Sequence, residues 1–139
     1  MPDKGVSRIL EITGDDLPTE SQDQLPAADL DSLIARTGGD SELILEMIRM
    51  FQKEAPRLYG QVITAIQNND AVSLRSAAHA LKGSVANFSA NPAMNAAAVL
   101  EESGKNGDMS TVSLSCSNLS HEIDRLQLEL AEFVNKASQ

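Results

Sequence analysis

The last quarter of the chain carries a pattern that leaves few folds open. Val112, Cys116, Leu119, Ile123, Leu126, Leu130 and Phe133 recur at steps of 4, 3, 4, 3, 4 and 3 residues, the spacing that stacks side chains along one side of an α-helix. At 1.5 Å per residue such a seam runs for ~30 Å. A helix this long with one apolar side must lie against other structure, and no segment alternates with the period of two that marks a half-buried strand. The aromatic residues are only Phe51, Tyr59, Phe88 and Phe133, so the core is built from Leu, Ile, Val, Met and Ala, a mix suited to helix packing. The chain's 139 residues suit a single core.

Residues 1–23 hold six acids against two bases, with Pro2, Gly5, Gly14 and Pro18 breaking any period, and read as an acidic flexible tail or linker. A small cluster there, Val6, Ile9, Leu10 and Ile12, is more than a solvated tail requires and leaves docking open. Residues 24–137 form the folded domain. A first helix is expected from about Pro26 to Arg36, with Gly38-Gly39 as its stop. Asp40 or Ser41 caps a second, in which Leu43, Ile44, Met47, Ile48, Phe51, Ala55, Leu58, Val62 and Ile66 form one stripe. Pro56 falls inside it and predicts a kink or two abutting helices. Asp70 caps a third helix running to about Phe88, Asn91-Pro92 opens a fourth that Gly104 ends, and Gly107-Asp108 leads into the last. The short connections make neighbours antiparallel, so the expected fold is all-α: an up-and-down antiparallel four-helix bundle with a short additional N-terminal helix.

Eleven Lys and Arg against 20 Asp and Glu give a net charge of −9, with no basic face, which argues against nucleic acid or an anionic membrane as partner. Cys116 is the only cysteine, which excludes an internal disulfide and a cysteine-based zinc site; on the apolar seam it reads as a buried, inert thiol. No apolar run approaches the ~20 residues of a membrane span and no signal-peptide pattern opens the sequence, so the cytoplasm is the expected location; the chain is also expected to be a monomer.

The third helix carries the chemistry. On a wheel of about 100° per residue with Leu74 at zero, Leu74, Ala77, Ala78, Leu81, Val85 and Phe88 lie within about 60° of the core direction, and His79 falls near 140°, outside it. Arg75 at i−4, Lys82 at i+3, Gly83 at i+4 and Ala86 at i+7 share its side of the helix. Glycine in a helix interior costs about 1 kcal/mol relative to alanine, so Gly83 has a purpose: open space beside the imidazole, or close packing of another helix. Lys82 and Arg75 can pair with phosphoryl oxygens, although an exposed arginine is as often a solvated charge. Neutral imidazole has a ring nitrogen free to attack phosphorus. His121 has Asp124 and Arg125 at i+3 and i+4, an acid and a bulky chain, and reads as a surface residue.

The run His79-Ala80-Leu81-Lys82-Gly83-Ser84-Val85-Ala86-Asn87-Phe88 resembles the motif of the histidine-containing phosphotransfer (HPt) domains. The likeness extends from about Leu25 to the last helix through a Gly-Gly-Asp turn, Phe51, Ala55-Pro56 and Leu100-Glu101. The resemblance implies that His79 is the phosphoacceptor, Lys82 a phosphoryl-stabilising base and Gly83 the access residue, with Arg75, Glu101 and Lys105 as further phosphoryl-stabilising candidates. Glycine is common in relatives where this chain has Ser89, which leaves open the geometry of the turn between the third and fourth helices.

The function implied by the resemblance is phosphorelay signalling: His79 accepts a phosphoryl group from the aspartate of a receiver domain and passes it to another, with the imidazole standing in an unobstructed, positively charged niche. The chain is expected to be a carrier rather than an enzyme, with no cofactor of its own, magnesium on the partner receiver, and a docking patch of apolar residues from the first two helices. A further reading makes the domain the C-terminal part of a hybrid sensor histidine kinase, with residues 1–23 as the interdomain linker. The alternative is a helical interaction module that binds a receiver or partner helix without phosphorylation. No nucleophile spacing around His79 suggests a hydrolytic triad.

Overall fold

A computed structural model describes residues 25–137. Among them are five helices and no strand: α1 (Leu30–Arg36), α2 (Ser41–Gln67), α3 (Ala71–Ala86), α4 (Asn91–Asn106) and α5 (Val112–Ala137). The tail expected at residues 1–23, with its Val6, Ile9, Leu10 and Ile12, lies outside the described residues.

The core falls into two halves whose membership fixes the helix directions. One half combines Leu58 and Val62 of α2 with Leu74 and Leu81 of α3, Leu100 of α4 and Leu119 of α5. The other takes Ile48 and Phe51 from early α2, Val85 from the end of α3 and Phe88 just beyond it, Ala93 from the start of α4 and Leu126 and Leu130 from late α5, with Leu33 of α1 closing that end. The late part of each helix therefore meets the early part of the next, as only antiparallel neighbours can, and the four long helices form an up-and-down bundle. Leu74, Ala77, Ala78, Leu81, Val85 and Phe88 are all buried, as the wheel of the third helix requires.

Local rules set most of the ends. Asp40 and Asp70 accept the backbone N–H of Leu43 and Ser73, capping α2 and α3. Gly38 and Gly39 take positive φ after α1. The α2 helix runs unbroken through Pro56, in place of two abutting helices. Pro56 sits on the exposed side, where water reaches the backbone it leaves unpaired, while Phe51, Ala55, Leu58 and Val62 keep burying the opposite face.

Four boundaries or positions differ from the sequence reading. The first helix starts at Leu30 rather than near Pro26, because Asp29 caps it and the chain before it is held by α5. The N–H groups of Ala27 and Ala28 donate to the Glu129 carboxylate at 2.7 and 3.0 Å, Arg125 donates to the Leu25 carbonyl, and the Asp29 N–H donates to Phe88 O at 3.1 Å. Leu43, expected in the apolar stripe of α2, is exposed. The α3 helix stops at Ala86, two residues short of Phe88. Its last turn leads into Ser89 at φ 49°, and Arg36 of α1 donates to Asn87 O (3.0 Å) and to Ser89 Oγ (3.2 Å). Gly104 does not end α4; the helix continues to Asn106 and stops at Gly107, which has φ 70°.

Gly104 has a different task. A Cβ added there would lie 2.7 Å from Ala71 O and from Arg75 N, so the α3 and α4 backbones touch at this crossing. The close crossing brings Glu101, one turn before Gly104, alongside the turn of α3 that follows Arg75. Elsewhere in the bundle Cys116 is buried, and the Tyr59 hydroxyl lies 3.3 Å from its sulfur.

Candidate functional site

His79 stands on the outer side of α3 with 69% of its side chain exposed. Its Nδ1 lies 2.8 Å from Glu101 Oε2, and the other oxygen of that carboxylate lies 2.6 Å from Lys82 Nζ. The Lys82 ammonium holds the Glu101 carboxyl below the usual glutamate range against the opposing effect of burial, and the His79 contact adds to the lowering. An ionised carboxylate can only accept, so the ring proton belongs on Nδ1, which donates to Glu101 and leaves the Nε2 lone pair free.

The expected niche is thus open but not simply positive. The charged group touching the imidazole is an anion, and Lys82, 34% exposed, is engaged by that same anion. Glu101, expected among the phosphoryl-stabilising candidates, contacts both His79 and Lys82. Arg75 is exposed and lines a shallow cleft with Val72, Ser76, His79 and Glu101. Lys105 is exposed one turn past Glu101 and does not line that cleft.

Gly83 is exposed, and a Cβ added to it would meet nothing within 4 Å, so close packing of a neighbouring helix is not its purpose. It opens onto a groove between α2 and α3 whose walls include Met47, Met50 and Phe51 on one side and Ala80 and Ser84 on the other. Met50 is 59% exposed. The groove lies between the second and third helices, not the first two, because α1 sits over the end of the bundle on Leu33. His121 is exposed on α5. Among the described residues no group of three or more His, Cys, Asp or Glu is arranged to hold a metal ion, and no helix is long and apolar enough to cross a membrane.

Sequence reasoning missed Gly104, the residue that lets α4 approach. The signal was available: it sits three residues after Glu101 in a helix whose real stop, Gly107, lies just beyond it.

Residues 46–133, well over half of the chain, match the family model described as Hpt domain. The crystal structure of histidine-containing phosphotransfer protein B from Pseudomonas aeruginosa PAO1 is similar in fold, with a TM-score of 0.75 at 20% sequence identity, covering 81% of this chain and 97% of that one. No curated protein matches the sequence.

Proposed function

The chain belongs to the Hpt domain family, the histidine phosphotransfer carriers of two-component phosphorelays, which interact with receiver domains, and from that premise we propose that His79 is the residue that takes up the phosphoryl group. The observation that carries this reading is an imidazole largely open to solvent whose Nδ1 is held by Glu101, so that Nε2 is the available nucleophile.

A receiver carrying phosphoaspartate docks over Gly83 and the α2–α3 groove. The Nε2 lone pair attacks phosphorus in line, an N–P bond forms, and the P–O bond to the receiver's aspartate breaks with its electron pair leaving on the carboxylate. The reverse sequence loads a second receiver. Transfer of this kind depends on positioning and charge neutralisation, which Lys82 supplies at short range and Arg75 and Lys105 at longer range, and the magnesium ion belongs to the receiver. The chain acts as a carrier and not an enzyme, as a cytoplasmic monomer, standing alone or as the C-terminal domain of a hybrid sensor kinase.

Replacing His79 with glutamine tests the assignment. The variant should keep its helical circular dichroism and lose all acid-labile label from a phosphorylated receiver; label that persists would falsify His79 as acceptor and favour an interaction module whose phosphorylation lies elsewhere.

A further inference from the structure

The Glu101 carboxylate has two partners, one on each oxygen: His79 Nδ1 at 2.8 Å and Lys82 Nζ at 2.6 Å. The two contacts act on phosphoryl transfer in opposite ways. The first fixes the ring and leaves Nε2 free, which favours attack. The second occupies the ammonium that an arriving phosphoryl group would use. Glu101 is half-enclosed, with 21% of its side chain exposed, so its charge is only partly screened by water.

We propose that Glu101 is a positioning residue that also sets the transfer potential of the site: it orients His79 while holding phospho-His79 less stable than a neutral side chain of the same shape would. This inference rests on His79 being the acceptor. The charges explain the direction. Lys82 and Glu101 neutralise one another, so a phosphoryl group of roughly −2 on a ring that keeps its Nδ1 proton, and therefore carries +1, leaves the cluster near −1. With glutamine at position 101 the same cluster would stand near neutrality, and Lys82 would be released to the phosphoryl oxygens. In the phosphorylated state Lys82 must divide its three donors between Glu101 and the phosphoryl oxygens. Arg75, on the rim of the cleft, and Lys105, further along α4, offset part of the repulsion, and neither touches the carboxylate. Transfer itself is balanced within the site: the N–P bond forms at Nε2 as the aspartyl P–O bond breaks, the Nδ1 proton remains against Glu101 throughout, and the ring takes up the positive charge. A carrier built this way hands its cargo on instead of accumulating it.

The test is an equilibrium measurement on the full chain. An isolated receiver domain, phosphorylated with acetyl phosphate and chosen as the fastest donor to the wild-type protein, is mixed with wild type, Glu101→Gln, Lys82→Ala, the double variant and His79→Gln, and the partition of label is read at equilibrium. Glutamine keeps an oxygen for the Nδ1 proton and preserves the shape of the site. In Glu101→Gln the equilibrium constant should shift toward phospho-His79 by about threefold to tenfold, the range for one partly screened charge. A residue with a merely structural role would slow both directions and leave the ratio unchanged; an unchanged or lowered ratio overturns the inference. Lys82→Ala should reduce the ratio more in the Glu101→Gln background than in wild type, and equal reductions overturn the competition for Lys82. If His79→Gln still takes label, the acceptor assignment fails; if it takes none while Glu101→Gln matches wild type, only the role given to Glu101 fails.

Discussion

Gly83 and Gly104 are both interior to helices, and they face opposite conditions. Beside Gly83 there is open space; beside Gly104 there is the backbone of another helix. The same missing side chain leaves a clearing in one place and admits a neighbouring helix in the other. Both absences shape the surroundings of His79, since the close crossing at Gly104 sets Glu101 against His79 and Lys82, and Gly83 leaves open space one turn further along α3. A mid-helix glycine therefore has a meaning that composition cannot supply; what would occupy the position of its Cβ decides it.

The contrast can be broken most forcefully at the closed position. Gly104→Ala forces a methyl group into backbone 2.7 Å away and should cost about 1–3 kcal/mol by overpacking, read as a fall in Cm on urea unfolding, with slower phosphoryl uptake because Glu101 is displaced. At the open position the pattern should invert. Gly83→Ala should stabilise the protein by up to about 1 kcal/mol through helix propensity, whereas Gly83→Leu, equally well folded, should slow uptake from a receiver by about tenfold, equivalent to about 1.4 kcal/mol of docking. Equal stability losses at the two glycines would erase the distinction.

Acid probes the contact that the closed crossing makes possible. Glu101 has a folded-state pKa below its unfolded value, so its contribution is present above the ordinary glutamate range and is lost as pH falls through the lowered value. Glu101→Gln should melt slightly below wild type at pH 7, and the two curves should converge as pH falls below the ordinary glutamate range and through the lowered value; a gap that persists in acid would mean that the carboxylate contributes nothing through its charge.

The smallest effect belongs to a place where a glycine would suit the backbone and is not used. Ser89 takes φ 49°, a left-handed conformation that disfavours side chains, and recovers part of the strain through its Oγ, which meets Arg36 Nη2 and lies 3.5 Å from Ser32 Oγ. Relief of strain and loss of these exposed contacts should nearly cancel in Ser89→Gly, leaving stability within about 0.5 kcal/mol of wild type.

Much of the fold and of the site is legible in the residues. Apolar spacing sets the helices of the bundle, Asp70 caps α3, and the wheel places His79 outside the core because each of those signals depends only on neighbours three or four positions away. The departures involve partners distant in the chain. Pro26 opens a plausible helix, yet Glu129, about a hundred residues later, takes the N–H groups of Ala27 and Ala28 and keeps them out of it. Gly104 looks like a stop because glycine often is one, and the Ala71 and Arg75 backbone that gives it its role lies about thirty residues earlier. Lys82 looks free to meet a phosphate because the carboxylate that holds it sits on the next helix. Ser89 takes a left-handed conformation that glycine would adopt without strain, and its spacing in the sequence carries no sign of that.

Cys116, shut beneath Tyr59 on the inner seam of α5, gives the protein a built-in clock. Since it is the only thiol in the chain, the rate at which a thiol reagent reacts measures how often the helices part near that point. A variant that loosens the bundle would quicken that clock, and one that alters only the outer surface of α3 would leave its pace alone.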